Sequence, residues 1–373
     1  MKFLHTADLH LDSAFCSVGV TDAQALRERQ RSILKKIFET AKTEDCDMIL
    51  IAGDLFDTVF VSPETRSLCL SLFADFNSPI IIAPGNHDAY VDGSFYKTQN
   101  LPENVCVFTS SELQYFDFPK LNTTVAGYAF TSAAMLENPL SSPPPVRHNE
   151  RILLLCAHTE LDVPTSRYAP MLTSDIVRHR FDYAALGHIH KHTRPRDNIV
   201  YCGFPEGRSF DEQGEGGVMI VTTDGIAPPT VERRNISQLC YLAIELSVDG
   251  ACEPDEIEQK ISAEIKRLTE LYGKVALRIE LTGAVTPDAT RALREYEEKE
   301  YDSVVSLRII NSTLALPDKS FLEKDSTLRG EFYRSLLSGL YSDDAHTRAL
   351  SLKALQIGLA AIDGKSFTDG GRS

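Results

Sequence analysis

The feature that most constrains this chain is a repeated junction between an apolar segment and side chains that bind metals. Three apolar segments, 47–52, 79–84 and 183–186, end in Gly53-Asp54, Gly85-Asn86-His87-Asp88 and Gly187-His188-Ile189-His190. Two others, 3–7 and 152–157, reach Asp8-Leu9-His10 and His158 without a glycine. Short apolar runs of this kind are typical of buried strands. The sequence therefore predicts five strands whose carboxyl ends carry polar, metal-binding side chains.

The segments between these strands indicate an α/β core. Apolar residues recur at helical spacing over 22–43, and a second helix over 63–76 begins with Pro63 directly after Ser62. Alternation of strands and helices predicts an α/β fold. Short strands follow from residue 105 onward, so we expect layers of sheet packed face to face, with the earlier helices on the outside.

A change of pattern near residues 235–238 predicts a domain boundary. Beyond it a β-α-β-α-β block extends to residue 310, with helices over 254–272 and 287–299. A helical tail follows, in which Leu328, Phe332, Leu336 and Leu340 recur every fourth residue. We therefore predict a main domain over 1–236, a small α/β domain over 237–312 and a helical tail over 313–373.

Composition excludes some classes of protein. The net charge of −15 rules out a chain that works as a polycation, but nucleic-acid binding needs only a local basic surface. The apolar runs are all shorter than the ~20 residues that span a bilayer. The first residues form no secretory signal, so we expect a cytoplasmic protein. Eight scattered cysteines favour reduced thiols over a disulfide framework or a zinc site.

The five strand ends predict one shared metal centre, because ligands of α/β sheets collect beyond the carboxyl ends of strands. Residues two apart in extended backbone point the same way, so each of the pairs Asp8/His10 and His188/His190 can face one centre. Seven nitrogen and oxygen ligands exceed the three or four of a catalytic zinc site and suit two ions such as Mn²⁺ or Fe²⁺. The predicted ligands are Asp8, His10, Asp54, Asn86, His158, His188 and His190.

Two ions about 3.5–4 Å apart are typical of phosphoryl displacement, in which they hold the attacking and leaving oxygens. This chemistry needs a carboxylate shared by both ions, for which Asp54 is the natural candidate. It also needs an uncoordinated proton donor, and His87 follows the predicted ligand Asn86 directly. Any one of these residues alone could be a buried structural histidine or a helix-capping aspartate; the complete ordered series favours the catalytic interpretation.

This series resembles the signature of the calcineurin-like metallophosphoesterases. The opening segment 5–11 and the segment 201–212 (YCGFPEGRSFDE) narrow the resemblance to the SbcD-type DNA repair exonucleases and their YhaO-like bacterial branch. The resemblance implies a β-sandwich flanked by helices, a small α/β domain that caps the DNA, and a helical C-terminal tail.

The resemblance also implies a role for each motif residue. One ion would be held by Asp8, His10, Asp54 and His190, and the other by Asp54, Asn86, His158 and His188. His87 would stabilise the transition state and protonate the leaving group, and Asp88 would orient His87. Asp57 stands where some members of the wider nuclease family have a histidine used in exonuclease action, so the exonuclease strength stays open.

Three basic residues are candidates for substrate contact. Arg194 and Arg196 lie in the basic stretch 191–196, which is either a phosphate contact or a solvated loop. Arg208 lies in the segment that carries the family resemblance.

The family form is a homodimer paired with an SMC-like coiled-coil ATPase. The apolar row of the tail suits such a partner, or packing on the parent domain. Three functions are therefore considered: a Mn²⁺-dependent exonuclease and endonuclease (Fe²⁺ or Mg²⁺ being alternative ions), a hydrolase of a small phosphodiester, nucleotide or phosphoprotein, and a scaffold that has lost catalysis.

Overall fold

The computed structural model describes residues 1–15, 20–142, 151–248, 254–285, 301–315 and 324–362, with 296, 299 and 364. It divides into two compact units, Met1–Cys240 and Tyr241–Ser373. The first unit contains strands β1 (Lys2–Thr6), β2 (Met48–Ile51), β3 (Ile80–Ile82), β4 (Val105–Val107), β5 (Gln114–Phe118), β6 (Thr123–Gly127), β7 (Ile152–His158), β8 (Tyr183–Gly187), β9 (Thr193–Arg196), β10 (Ile199–Tyr201), β11 (Gly217–Thr222) and β12 (Thr230–Asn235). Its helices are α1 (Val20–Thr43), α2 (Pro63–Asp75), α3 (Phe95–Thr98) and α4 (Thr173–His179).

These strands form two six-stranded sheets. The first has the order β12-β11-β1-β2-β3-β4 and the second β5-β6-β7-β8-β10-β9. Strands β1 to β4 are parallel, with Phe3 opposite Met48 and Ile49 opposite Ile80, and so are β6, β7, β8 and β10. The first sheet is antiparallel only at its β11-β12 edge and the second at both edges, and the parallel strands of each sheet end along one side.

The core follows the two-residue period of the strands. In β2, Met48 and Leu50 belong to a buried layer that is built from residues of both sheets. Ile49 and Ile51 point the other way, into a cluster with residues of α1 and α2. Because successive strand residues face opposite sides, each sheet is buried on both faces. The layered α/β fold expected from the sequence is confirmed, with two facing sheets flanked by helices.

Four helices and strands of the first unit were not predicted, among them helix α3, which is only 4 residues long. Strands β9 and β12 lie at sheet edges and are rich in charged residues, so they lack the apolar alternation of a buried strand. Helix α4 is only 7 residues long. The basic stretch 191–196 therefore includes an edge strand, rather than being only a loop.

The second unit contains a three-stranded sheet, β13-β14-β16, in which β14 and β16 are parallel. Helix α5 buries Ile257, Ile261 and Ile265 at four-residue intervals, and the predicted helix at 287–299 lies outside the described residues except for 296 and 299. The elements are β13 (Cys240–Ser247), α5 (Pro254–Tyr272), β14 (Val275–Thr282), β15 (Ala284–Val285), β16 (Val304–Asn311), β17 (Leu314–Ala315), α6 (Leu328–Leu340) and α7 (Ala345–Ile362).

The apolar row of the tail packs within the tail itself. Phe332, Leu336 and Leu340 of α6 form a cluster with Leu352 and Leu355 of α7. The row therefore joins two helices of the tail to each other. The predicted division of this part of the chain at residue 312 stays a prediction.

Two further observations concern membrane and redox chemistry. Among the described residues, no helix combines the length and the apolar character that crossing a membrane requires. The six described cysteines are free thiols: Cys46, Cys69, Cys106, Cys156, Cys202 and Cys240.

Near the end of the first unit, the backbone donates a hydrogen bond to a buried carboxylate. Glu206, which is 6% exposed, accepts a hydrogen bond from the backbone N–H of Gln238 at 2.7 Å through Oε2. Its other oxygen, Oε1, has no hydrogen-bond partner in the described structure. Burial is the main reason that the pKa of Glu206 is raised to about 7.

The backbone at Gly187 leaves no room for a side chain. A Cβ there would lie 2.0 Å from the carbonyl oxygen of Ala52 and 2.7 Å from the Cβ of Ala7. We expect Gly187→Ala to lower the free energy of unfolding by about 1–3 kcal/mol, the usual cost of overpacking, as measured by urea denaturation. Gly214→Ala is the control, since a Cβ at Gly214 meets no atom within 4 Å and adds only the strain of a positive φ. Equal effects of the two substitutions would contradict the steric explanation.

Glu206 should make stability depend on pH. The folded pKa is about 7 and the ordinary value is 4.5, so between these values the folded chain holds a proton that the unfolded chain has released. Stability should therefore fall as the pH rises from 4.5 to 7, by about 3 kcal/mol in total. Gln at this position keeps an accepting oxygen for Gln238. We expect Glu206→Gln to reduce this fall, as measured by unfolding at pH 5 and pH 8; an unchanged pH dependence would refute the assignment.

Candidate metal centre

The predicted ligands come from five strand ends, three in the first sheet and two in the second. The loop after β1 lies along the loop after β2, because the N–H of Asp8 donates to the Gly53 carbonyl at 3.1 Å and that of His10 to the Asp54 carbonyl at 2.9 Å. Asp8, His10, Asp54 and His188 all have positive φ angles, between 46° and 96°. Such backbone is costly for residues other than glycine and is concentrated at functional sites.

Asp54 lies at the middle of the cluster. Its Oδ2 is 3.3 Å from Nε2 of His158 and 3.6 Å from Nε2 of His10. Asn86 approaches from the loop after β3, with Oδ1 3.1 Å from the same His158 nitrogen. Asp8 lies 3.8 Å from Nε2 of His190 and accepts from the backbone N–H of His188 at 3.1 Å.

Three overlapping groups of side chains place their ligand atoms within 4.8 Å of one another: Asp8, His10 and His190; Asp8, Asp54 and His158; and His10, Asp54 and His87. The structure therefore brings together five of the predicted ligands, and Asn86 with them. His188 is outside these groups. Its ring lies against His158, with centroids 5.1 Å apart, and against Tyr168 at 4.5 Å.

Outer partners fix the orientation of three histidines. Nδ1 of His10 lies 3.0 Å from Oδ1 of Asp57, Nδ1 of His190 lies 2.7 Å from Oε1 of Glu212, and Nδ1 of His158 lies 3.0 Å from the Ala52 carbonyl. Since carboxylates and carbonyls only accept, each Nδ1 is the donor, and each Nε2 presents a lone pair to the interior. This is the arrangement found around metal-binding histidines.

Two imidazole nitrogens without protons face each other in the interior. Nε2 of His10 and Nε2 of His190 are 3.2 Å apart, and with Nδ1 protonated on both rings neither can donate to the other. Burial alone would lower the pKa of His158, yet the Asp54 charge raises that pKa to about 9. Facing lone pairs beside two buried carboxylates are stabilised by a cation, so the residues fit divalent ions of the kind that carboxylate and imidazole prefer.

Burial shifts the pKa values of the remaining carboxylates and imidazoles in opposite directions. It raises the pKa of Asp8 and opposes ionisation of Asp54, but His158 and His10 hold the pKa of Asp54 below its usual value. Burial and the neighbouring His158 lower the pKa of His188 to about 3. Neutral imidazole and ionised carboxylate are the forms that bind metals.

His87 stands at the open side of the cluster. Its side chain is 44% exposed, its Nδ1 donates to the Asp57 carbonyl at 3.1 Å, and its ring contacts the ring of His10 edge-on at 4.7 Å between centroids. Nε2 of His87 is thereby left for other partners.

Asp88 was expected to orient His87, but its hydrogen bonds go to other groups. Its carboxylate accepts from the backbone N–H groups of Leu55 and Gly85 at 2.8 and 2.7 Å, from that of Phe56 at 3.2 Å, and from the Tyr96 hydroxyl at 2.6 Å. These bonds join the loop after β2 to the loop after β3. The Asp57 carbonyl, rather than Asp88, holds the ring of His87.

The three arginines that were candidates for substrate contact lie in two different environments. Arg194 and Arg196 are exposed on β9, and the guanidinium of Arg194 donates to the Asp197 carbonyl at 2.8 Å. Arg208 is instead part of the site, where it contacts Asp57 at 3.3 Å and Glu212 at 2.5 Å.

Sequence reasoning assigned no role to Glu212 and described Asp57 only as a departure from some relatives. Each carboxylate accepts a hydrogen bond from a histidine that is distant in sequence. Glu212 lies 22 residues from His190, and Asp57 lies 47 residues from His10. The carboxylate beside a histidine is set by tertiary approach, so no local spacing indicates it. The only available signal was the position of Glu212 at the end of the segment 201–212.

Comparison with known proteins agrees with this fold and this site. A sandwich of two mixed sheets with carboxylate, amide and imidazole ligands at its strand ends is the structure of a metal-dependent phosphoesterase. The model of the Calcineurin-like phosphoesterase family matches residues 1–192, which is just over half of the chain. The chain belongs to this family, whose members use a dinuclear site for divalent metals.

Two curated proteins illustrate the range of relatives. The chain is 26% identical over 346 residues to the "Uncharacterized metallophosphoesterase YhaO" of Bacillus subtilis strain 168, covering 84% of this chain and 82% of that protein. It is 24% identical over 241 residues to a subunit of the nuclease SbcCD from Staphylococcus saprophyticus, covering 57% of this chain and 62% of that protein. The suspected family is thus confirmed at the level of the metallophosphoesterases.

Asp54 lies between His10 and His158 in the candidate centre. We expect Asp54→Ala to reduce the Mn²⁺ retained after equilibrium dialysis from two ions to fewer than one per chain, because its carboxylate lies between His10 and His158. Metal analysis of the dialysed protein measures this. Asp92→Ala, which removes a fully exposed carboxylate, should retain both ions. Two ions retained by Asp54→Ala would contradict the central role of Asp54.

Proposed function

We propose that this protein is a two-metal phosphodiesterase that acts on DNA, as a Mn²⁺-dependent nuclease with exonuclease and endonuclease activity in DNA repair. The observation that carries the proposal is a half-exposed histidine, His87, at the open side of a buried cluster of carboxylate and imidazole side chains. A phosphodiester can reach His87 without disturbing the groups behind it. Fe²⁺ and Mg²⁺ are alternative occupants of the same ligands.

The proposed sharing of ligands is the one that the family resemblance implies. Asp8, His10, Asp54 and His190 would hold one ion, and Asp54, Asn86, His158 and His188 the other. When bound, the ions supply positive charge that activates a water and neutralises the phosphate oxygens. The surrounding residues fix the imidazoles beforehand, so that little rearrangement is needed as charge develops.

His87 is proposed to donate a proton to the departing sugar oxygen and to stabilise the charge on the phosphate. Its Nδ1 is held by the Asp57 carbonyl, so Nε2 is the nitrogen available to the substrate. Asp57 also lies 3.7 Å from Nδ1 of His87 through its carboxylate. A positioned acid of this kind contributes roughly 10²–10⁴-fold to a rate.

Two observations support DNA as the substrate. One relative is described as a nuclease subunit, and exposed Lys191, Arg194 and Arg196 follow His190 directly. A chain of net charge −15 repels a polyanion at long range, so phosphates would have to be held by such a local group of cations. We propose Arg194 and Arg196 as phosphate contacts.

The tail is proposed to bind a coiled-coil ATPase partner, with the chain as a homodimer in the cytoplasm. The apolar row of the tail, which suggested a contact with this partner, packs largely between α6 and α7. Leu328, Tyr341 and Leu350 nevertheless remain 70%, 59% and 64% exposed. These side chains are the candidates for the partner surface. The small domain over 237–312 is proposed to cap the DNA.

A second candidate function is hydrolysis of a small phosphodiester, nucleotide or phosphoprotein, which the net charge of −15 favours. A scaffold without catalysis is disfavoured, because all seven predicted ligands are in place in the sequence.

His87→Ala separates these functions. We expect cleavage of end-labelled linear and single-stranded DNA with Mn²⁺ to fall by about 10²–10⁴-fold. Hydrolysis of bis(4-nitrophenyl) phosphate should fall much less, because nitrophenolate leaves without a proton. The matched control is His346→Ala, which removes an exposed histidine of α7.

The outcomes test the role of His87 and the choice between the two functions. Equal losses on both substrates would indicate that His87 stabilises the phosphate without donating a proton. Full DNA cleavage by the variant would refute the role of His87. Hydrolysis of the small diester by the native chain, with no cleavage of DNA even after a candidate ATPase is added, would favour the second function.

A further inference from the structure

Arg208 lies between the two carboxylates that hold His10 and His190. Its Nη1 donates to Oδ1 of Asp57 at 3.3 Å. Its Nε and Nη2 donate to Oε1 of Glu212 at 3.0 and 2.5 Å, and its backbone N–H donates to Oε2 of Glu212 at 2.8 Å. The guanidinium therefore joins two carboxylates that belong to loops far apart in sequence.

The contacts form a closed ring of five side chains. Asp57 accepts from Nδ1 of His10 at 3.0 Å and Glu212 from Nδ1 of His190 at 2.7 Å, while the Nε2 atoms of the two histidines lie 3.2 Å apart. We call His10, Asp57, Arg208, Glu212 and His190 the Arg208 ring. The guanidinium contacts both carboxylates, and each carboxylate holds one histidine, so a change in the guanidinium reaches both histidines.

Only one side of the metal centre is held in this way. Glu212 is 5% exposed on its side chain and Arg208 is 20% exposed, so water competes weakly for these bonds. His158, on the other side, donates its Nδ1 proton to the Ala52 carbonyl and is outside the ring. The orientation of His158 therefore does not depend on Arg208.

The chemistry of arginine explains why this residue type suits the position. The planar guanidinium offers donors in a rigid fork and can bind one carboxylate with two bonds while reaching a second. A lysine ammonium supplies the same charge as a single point. Without the cation, Asp57 and Glu212 would be free to turn toward water, and the histidine tautomers would no longer be fixed.

We propose that Arg208 is a positioning residue that sets His10 and His190 for one of the two metal ions and leaves the other ion unaffected. The proposal rests on the sharing of ligands given under the proposed function. It assigns Arg208 a role behind the ligands, in place of the phosphate contact expected from the sequence. Outer partners of this kind typically change metal affinity about 10–100-fold when they are removed.

The test measures Mn²⁺ binding to the full chain by calorimetric titration and by electron paramagnetic resonance. We expect native protein to bind two ions and to give the signal of a coupled pair. Arg208→Ala should bind one ion with unchanged affinity and the other about 10–100-fold more weakly. At two equivalents of Mn²⁺, its spectrum should show isolated rather than coupled ions.

Two further variants make the result specific. Arg208→Lys keeps the charge but not the fork, so we expect an affinity between those of the native protein and Arg208→Ala. Arg233→Ala removes an exposed arginine of β12 and should bind both ions normally. Melting of the metal-free proteins identifies any variant that fails to fold; if Arg208→Ala does, Arg208→Lys and Glu212→Gln provide the comparison.

Several outcomes would overturn the proposal. Native affinity for both ions in Arg208→Ala would show that the ring does not position the ligands. An equal loss of affinity for both ions would show that Arg208 does not act on one ion selectively. Native affinity for both ions in Arg208→Lys would show that the charge alone matters. Fewer than two ions bound by the native protein would instead overturn the two-ion centre on which the proposal rests.

Discussion

The close approach of the two sheets at their carboxyl ends is the constraint on which the centre depends. A Cβ at Gly53, in the first sheet's loop, would lie 2.2 Å from Nδ1 of His158 in the second sheet. A Cβ at Gly187 would lie 2.0 Å from the Ala52 carbonyl. Glycine at these junctions lets backbone and ligand from opposite sheets occupy the same narrow space. Ligands from both sheets can therefore meet around the single carboxylate of Asp54.

This closeness places three buried carboxylates near one another, and each is compensated differently. The negative charge of Asp54 is offset by histidines, and Asp8 accepts a hydrogen bond from the backbone N–H of His188. Asp88 accepts four hydrogen bonds from groups of two loops and a tyrosine, although burial and the Asp54 charge raise its pKa to about 6. Asp88 thereby keeps the loops of Asp54 and Asn86 together, beside the interior in which divalent ions fit.

The positions of the candidate ligands could be predicted because each is local: an apolar strand ends and a polar side chain lies at its end or within four residues of it. The sequence could not show that Asp54 and His158 come from different sheets, since one sheet would also place strand ends together. It could not indicate that Glu212 holds His190, because that contact joins residues 22 apart through folding. Strand β9 was missed for a related reason, as an edge strand with arginines and a proline has no buried face to give it alternation.

The burial of the ligands gives the centre one open side. His10, Asp54 and His158 have side chains no more than 2% exposed, whereas His190 is 31% and His87 44% exposed. A substrate thus meets His87 and His190 first. Six residues of extended chain cover at most about 20 Å, so Arg194 and Arg196 stay within that distance of His190. If the proposed function holds, these cations would offset part of the repulsion between an acidic chain and a phosphodiester.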